Sequence, residues 1–255
     1  MNYRFSRTPV AFFVTLLLSC GGPKDFGTKV IPAAPAVGEW SEVGAAVLDD
    51  SASLEYRIAK TKRGEQVIAV LDHRRRIKIL GENGLSQATV ELRTDGFSTV
   101  TNIRARSVSP SGDVLELDTR SIRTQPWPGE RQRDKKLNVV AFGVPGAKVG
   151  GVIEYRYERV YLNADFVEPW ALGGRLPRVR SQLDIVVPPE LRIEYRTGER
   201  SELTDEAPLR RKLENGGERL VFVKKDVPPY YLEPRMVHPL RLVPWVASVI
   251  VEANL

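Results

Sequence analysis

Few residues in this chain can carry covalent or metal chemistry. In 255 residues there is one cysteine, Cys20, and there are two histidines, His73 and His238. Cys20 follows a short apolar run, residues 10–18, which is itself preceded by Arg4 and Arg7. That order is the order of an export signal, and the run is far shorter than the ~20 residues a spanning helix needs. A thiol at a cleavage site has no imidazole to make it a thiolate, so a Cys-His nucleophile is excluded. His73 is followed by Arg74, Arg75 and Arg76, whose charges disfavour an imidazolium, and it reads as a surface histidine. His238 lies between Val237 and Pro239 and reads as a loop histidine. Neither has a Gly-x-Ser-x-Gly elbow to serve. Asp49 and Asp50 form the nearest acidic pair, but adjacent strand residues point apart, so they read as a polar turn and not as metal ligands. No two carboxylates stand out as a glycosidase pair. The glycine-rich residues 143–151 lack the strand-to-helix setting of a phosphate loop and read as a hairpin connection. The sequence therefore predicts no catalytic residues, no metal and no cofactor.

Two features could make contacts. On a strand, Arg74, Arg76 and Lys78 share one face while Ile77 and Ile79 share the other, which gives a basic stripe that is either a contact surface or a solvated face. The second is a stiff aromatic end in which Pro228, Pro229, Tyr230, Tyr231, Pro244 and Trp245 crowd together. Tyrosine and tryptophan anchor interfaces, so Tyr230, Tyr231 and Trp245 are candidate docking residues unless the segment packs back on its own domain.

The elements that position these residues follow from a period of two. Ile153, Tyr155 and Tyr157 alternate with Glu154, Arg156 and Glu158, and Leu191, Ile193 and Tyr195 alternate with Arg192, Glu194 and Arg196. Such alternation is what a strand with one buried face requires. Turn pairs such as Asn83-Gly84, Asp95-Gly96, Ser111-Gly112 and Asn215-Gly216 separate the runs. No window of a dozen residues repeats at 3.6. The fold class predicted is all-β, an antiparallel β-sandwich. Its bounds are a signal over residues 1–19, an extended Pro/Ala/Gly tether over 20–42, and a sandwich domain over 43–255. With 42% hydrophobic and 27% charged residues the composition is that of a globular protein, and the net charge of +6 suits an anionic neighbour. Export argues against nucleic acid as a partner.

Leu17-Leu18-Ser19-Cys20 resembles a bacterial lipobox, in which the signal is cut before the cysteine and the thiol carries a diacylglycerol. Further stretches resemble a second family. They are Ala45-Ala46-Val47-Leu48, Arg76-Ile77-Lys78-Ile79-Leu80 with Asn83-Gly84, and Ser109-Pro110-Ser111-Gly112-Asp113. The last are the run Phe142-Gly143-Val144-Pro145-Gly146 leading into Val152-Ile153-Glu154-Tyr155, and Pro228-Pro229-Tyr230-Tyr231 with Pro244-Trp245. The set is similar to the domain of unknown function that precedes transglutaminase-like, papain-fold domains in exported bacterial proteins. The resemblance implies the accessory half of such a protein, without the transglutaminase domain that normally follows and without its chemistry.

The expected protein is a non-catalytic lipoprotein that acts as a protein-binding or scaffold module of the bacterial cell envelope, on the outer membrane facing the periplasm. Its partners are the membrane, through the lipid, and a transglutaminase-like or other envelope protein. Two alternatives stay open: the substrate-positioning half of a transglutaminase-like peptidase whose catalytic domain is lost or separately encoded, and a peptidoglycan- or carbohydrate-binding module. The lipid is directly testable. Mass spectrometry of the mature N-terminus is expected to find an acylated Cys20, and Cys20→Ala to release the protein from membranes; an unmodified terminus starting elsewhere would remove the anchor.

Overall fold

The computed structural model describes residues 43–62, 64–127, 137–198, 207–231 and 241–254. The signal, Cys20, the tether and His238 lie outside the described residues. Two strands organise the rest: β1 (Ala45–Thr61) and β2 (Gly64–Ile79) pair antiparallel along their whole length. At 3.3 Å per residue each is roughly 50–55 Å long, so the hairpin runs from one end of the fold to the other.

On the far side of β2 lie β8 (Val152–Tyr161), β4 (Ser98–Val108) and β5 (Val114–Glu116). On the far side of β1 lie β10 (Arg178–Val187), β13 (Glu218–Val227) and β12 (Leu209–Lys212). These eight strands form one sheet in the order β12-β13-β10-β1-β2-β8-β4-β5. Every neighbour is antiparallel except β1 with β10, which run parallel. The all-β sandwich is therefore confirmed, with one parallel pair that the alternation could not show.

Two small sheets cover one face. The first is β3 (Thr89–Thr94), β7 (Asn138–Gly143) and β6 (Arg123–Pro126). The second is β11 (Leu191–Gly198), β14 (Trp245–Ala253) and the short β9 (Trp170–Ala171). That they share a face follows from parity along β2. Ile77 and Ile79 pack in a core with Val90, Val140 and Phe142 of the first small sheet. Ala69 and Leu71, an even number of residues back, pack in a second core with Val246 of the other sheet. The domain thus has two cores end to end, and β1 and β2 floor both.

Residues 143–151 differ from the expected hairpin connection. They carry the chain from β7 in a small sheet to β8 in the large one, and they are tied down by bonds from Gly150 N–H to the Ile79 carbonyl and from Ser107 Oγ to the Pro145 carbonyl. Asn83-Gly84 is not a simple turn: it lies within a 3-10 helix, Glu82–Ala88, packed against the start of β1. The Gly44 carbonyl accepts from Leu80 N and Gly81 N, and a Cβ on Gly84 would lie 1.9 Å from that oxygen. Only glycine allows this approach. Gly84→Ala is expected to cost about 1–3 kcal/mol in urea denaturation, the range of overpacking, whereas Gly143→Ala, which meets open space, stays within about 0.5 kcal/mol.

Candidate functional site

Between the two cores the buried face of the large sheet turns polar. Leu48 is an extra residue in β1: Val47 faces Ile77, and the next matched pairs are Asp49 with Arg76 and Asp50 with Arg75. The bulge puts Asp50 on the covered face, in a row with Ser181 of β10, Arg75 of β2 and Tyr155 of β8. The next row holds Ala52, His73 and Tyr157. Arg178 reaches in from the start of β10.

Asp50 is completely buried. Its Oδ1 accepts from His73 Nε2 at 2.7 Å and from Arg75 Nε at 2.9 Å, and its Oδ2 accepts from a terminal nitrogen of Arg75 at 2.7 Å and meets one of Arg178 at 2.6 Å. Burial opposes its ionisation, yet the Arg75 and Arg178 charges and the His73 hydrogen bond outweigh it and hold the carboxyl well below its usual range. Burial pushes His73 down, against the pull of Asp50, so the ring is neutral near pH 7. A carboxylate only accepts, so the proton of that neutral ring sits on Nε2. Nδ1 is then an acceptor, and it has no partner among the described residues. Burial lowers Arg178 to about 10 and raises the Tyr157 hydroxyl to about 12.

Above this band a cleft of about 310 Å³ opens between the two small sheets. Its floor includes His73, Arg75, Tyr155 and Arg178, and one wall is Trp170 and Ala171 of β9. The other wall is Thr89, Val90, Glu91 and Leu92, four consecutive residues of β3. Side chains of consecutive strand residues leave on opposite faces, so a surface lined by all of them is the edge of the strand. Val144 N–H bonds to the Ala88 carbonyl, which fixes the β3–β7 ladder: Val90 and Leu92 pair with β7, and the backbone groups of Thr89, Glu91 and Arg93 turn to the cleft side. The same reasoning from Leu172 N to Pro244 O turns Ala171 outward on β9, and its carbonyl accepts from Arg178 at 2.9 Å.

The predicted contact residues lie elsewhere. Arg74, Arg76 and Lys78 do share the opposite face of β2, an interior strand, where carboxylates and carbonyls meet them. Arg76 and Arg106 bond to the buried Glu154, Arg74 stands 3.9 Å from it, and Lys78 donates to the Gly150 carbonyl. Tyr230 is partly buried, its N–H bonded to the Gly174 carbonyl, and its hydroxyl lies within electrostatic reach of Arg178. Tyr231 is 66% exposed. Trp245 is half-buried on β14 with its ring against Gly198, and it lines a separate apolar groove of about 200 Å³. His73 is not a surface histidine: it is 4% exposed, with Tyr157 and Trp170 edge-on at 4.9 Å. Asp50 is in a strand, not a turn. The signal that could have found this site was parity: extending the Ile77/Ile79 face backward reaches Arg75 and His73.

Residues 69–231 match the family described as "Domain of Unknown Function with solved-structure structure (DUF3857)". No curated protein matches the chain. Among solved structures the fold is similar to that of "a putative protease from Parabacteroides distasonis", with a TM-score of 0.65 at 10% identity over 80% of this chain and 40% of that one. A more distant similarity, TM-score 0.37, is found to an M1 zinc metallopeptidase from Deinococcus radiodurans (11% identity, 80% of this chain, 42% of that). The native yeast LTA4 hydrolase also has a TM-score of 0.37 (9% identity, 80% and 29%). The chain spans 40% of the length of the first of these, and at such identity the likeness is one of fold.

The neutral, depressed His73 makes stability depend on pH. Below its ordinary value of 6.5 the unfolded chain takes up a proton that the folded chain refuses, so stability falls as pH drops through that value. The melting temperature is expected to decline on acidification from about pH 7.5 to 5.5. His73→Gln should flatten that slope; a slope unchanged in the variant would mean that His73 takes up protons equally in the folded and unfolded chain.

Proposed function

The chain belongs to the DUF3857 family of domains of unknown function, and from that premise we propose that it is a non-catalytic polypeptide-docking module, held on a bacterial envelope membrane by a lipid on Cys20. The carrying observation is the cleft flanked on one side by the outward edge of β3, which pairs with no strand among the described residues, and on the other by β9, whose Ala171 carbonyl is held by Arg178. A strand edge is a row of unused donors and acceptors, and an extended segment of another chain satisfies them by adding a strand. A segment added to β3 in this cleft would extend its three-stranded sheet toward β9. The non-catalytic half of the reading is supported by Ser181, the hydroxyl opposite Asp50 on β10, which is fully buried and is not among the residues that line the cleft. A second reading follows from the likeness to the Parabacteroides protein: the same cleft would present a substrate segment to a peptidase unit, of transglutaminase-like or other type.

The test uses the full chain and a synthetic pool of N-acetyl hexapeptides randomised at every position. Retained peptides are expected to slow hydrogen exchange of the Thr89, Glu91 and Arg93 amides. Glu91→Pro, which removes one outward amide from an edge where proline is tolerated, should fold and lose retention. Retention that leaves the β3 amides and the Glu91→Pro variant unaffected, or no retention at all, would sink the reading.

A further inference from the structure

Resting on the docking reading, we infer that the floor of the cleft is an anchor for a carboxylate of the docked segment. The argument starts from unused buried groups. Buried side-chain atoms without a partner include His73 Nδ1, Trp170 Nε1 and Arg178 Nε, and all three residues line the cleft. His73 and Arg178 are 4% and 6% exposed. Buried polar atoms left unpaired are rare, and a concentration of them at one opening marks the place where something else completes the set.

Their chemistry says what that is. The charges in the floor are two guanidiniums, Arg75 and Arg178, against the single carboxylate of Asp50, because His73 is neutral. Asp50 accepts at both oxygens and has no more to give. Arg75 gives Asp50 its Nε and one terminal nitrogen and also bonds to the Tyr155 hydroxyl, so it contributes charge to the floor, and the unused donors come from its neighbours. Trp170 and Arg178 contribute two orphan donors. A planar anion with two acceptor oxygens answers an arginine fork and an indole N–H. The one orphan acceptor, His73 Nδ1, asks for the opposite, an N–H. A free phosphate offers acceptors and no N–H donor. A polypeptide offers both a carboxylate and backbone N–H groups, and the β3 edge beside the floor takes the rest of its main chain.

The carboxylate can come from the end of the segment or from an aspartate or glutamate within it. To separate the two, the full chain is offered two pools of N-acetyl hexapeptides, one of free acids and one of carboxamides. Retention of free acids over carboxamides by about tenfold or more places a chain end in the floor. Carboxamides retained with aspartate or glutamate fixed at one position place a side chain there. Either result supports the anchor. Both pools retained equally, with no acidic position, overturns the anchor and leaves docking intact; retention of neither overturns docking as well. Arg75→Gln, checked by thermal melting, should abolish the preference. Should it fail to fold, Trp170→Phe keeps a ring, removes only the indole donor, and should lower the preference several-fold; an unchanged preference in a folded variant counts against the anchor.

Discussion

The fold turns on one buried carboxylate. Asp50 sits about a third of the way along β1, where the two cores meet, and draws His73 and Arg75 of β2 and Arg178 of β10 to itself. Taking those charges out of water costs several kcal/mol per ion, and only a fully satisfied geometry offsets it. Both Asp50 oxygens are satisfied. The arrangement is also directional, because Arg178 bridges Asp50 to the Ala171 carbonyl and so fixes the outer edge of β9 over the floor. The position of one small sheet above the large one therefore depends on the same carboxylate that orients His73.

Much of this was legible in the sequence. Alternation located β8 at Val152–Tyr161, and Asn83-Gly84, expected as a turn, lies in a 3-10 helix where its glycine allows a close backbone approach. Three things hid the rest. The extra residue Leu48 breaks parity in β1, so Asp49 and Asp50 looked like a turn pair when one faces Arg180 at 2.7 Å and the other the interior. The parallel pairing of β1 with β10 joins segments some 130 residues apart and leaves no local mark. His73 is hidden for a different reason. Its basic neighbours read as a solvated run, although its parity with Ile77 places it, and Arg75 with it, inside: period is the stronger signal. Arg74 and Arg76 did alternate outward as expected, but the carboxylate that meets them, Glu154, comes from β8, and cross-strand partners are set by register.

The two faces of the large sheet handle charge in opposite ways. On the outer face, cations and carboxylates interleave: Arg76 and Arg106 on Glu154, Arg156 on Asp72, Arg180 on Asp49. On the covered face the band has an excess of donors and a cleft above it. Glu154, Arg76 and Arg106 of the outer face are themselves buried, but there each carboxylate oxygen meets a cation directly, and breaking such a pair would leave an uncompensated charge. A covered band with orphan atoms is a different situation, since each unpaired buried group carries a desolvation cost of about 1–3 kcal/mol.

That cost bears on why the domain has two cores. Replacing a buried charged cluster with apolar residues of like volume is often neutral or stabilising. Leucines in place of Asp50, His73, Arg75 and Arg178 would make the covered face of the large sheet apolar from one core to the other. Such a floor has no directional bond to give, whereas Arg178 ties the Ala171 carbonyl of β9 to Asp50. The polar band thus separates the two cores and fixes the β9 edge above it. The same residues that withhold stability from the isolated domain are the ones that floor the cleft and supply its donors.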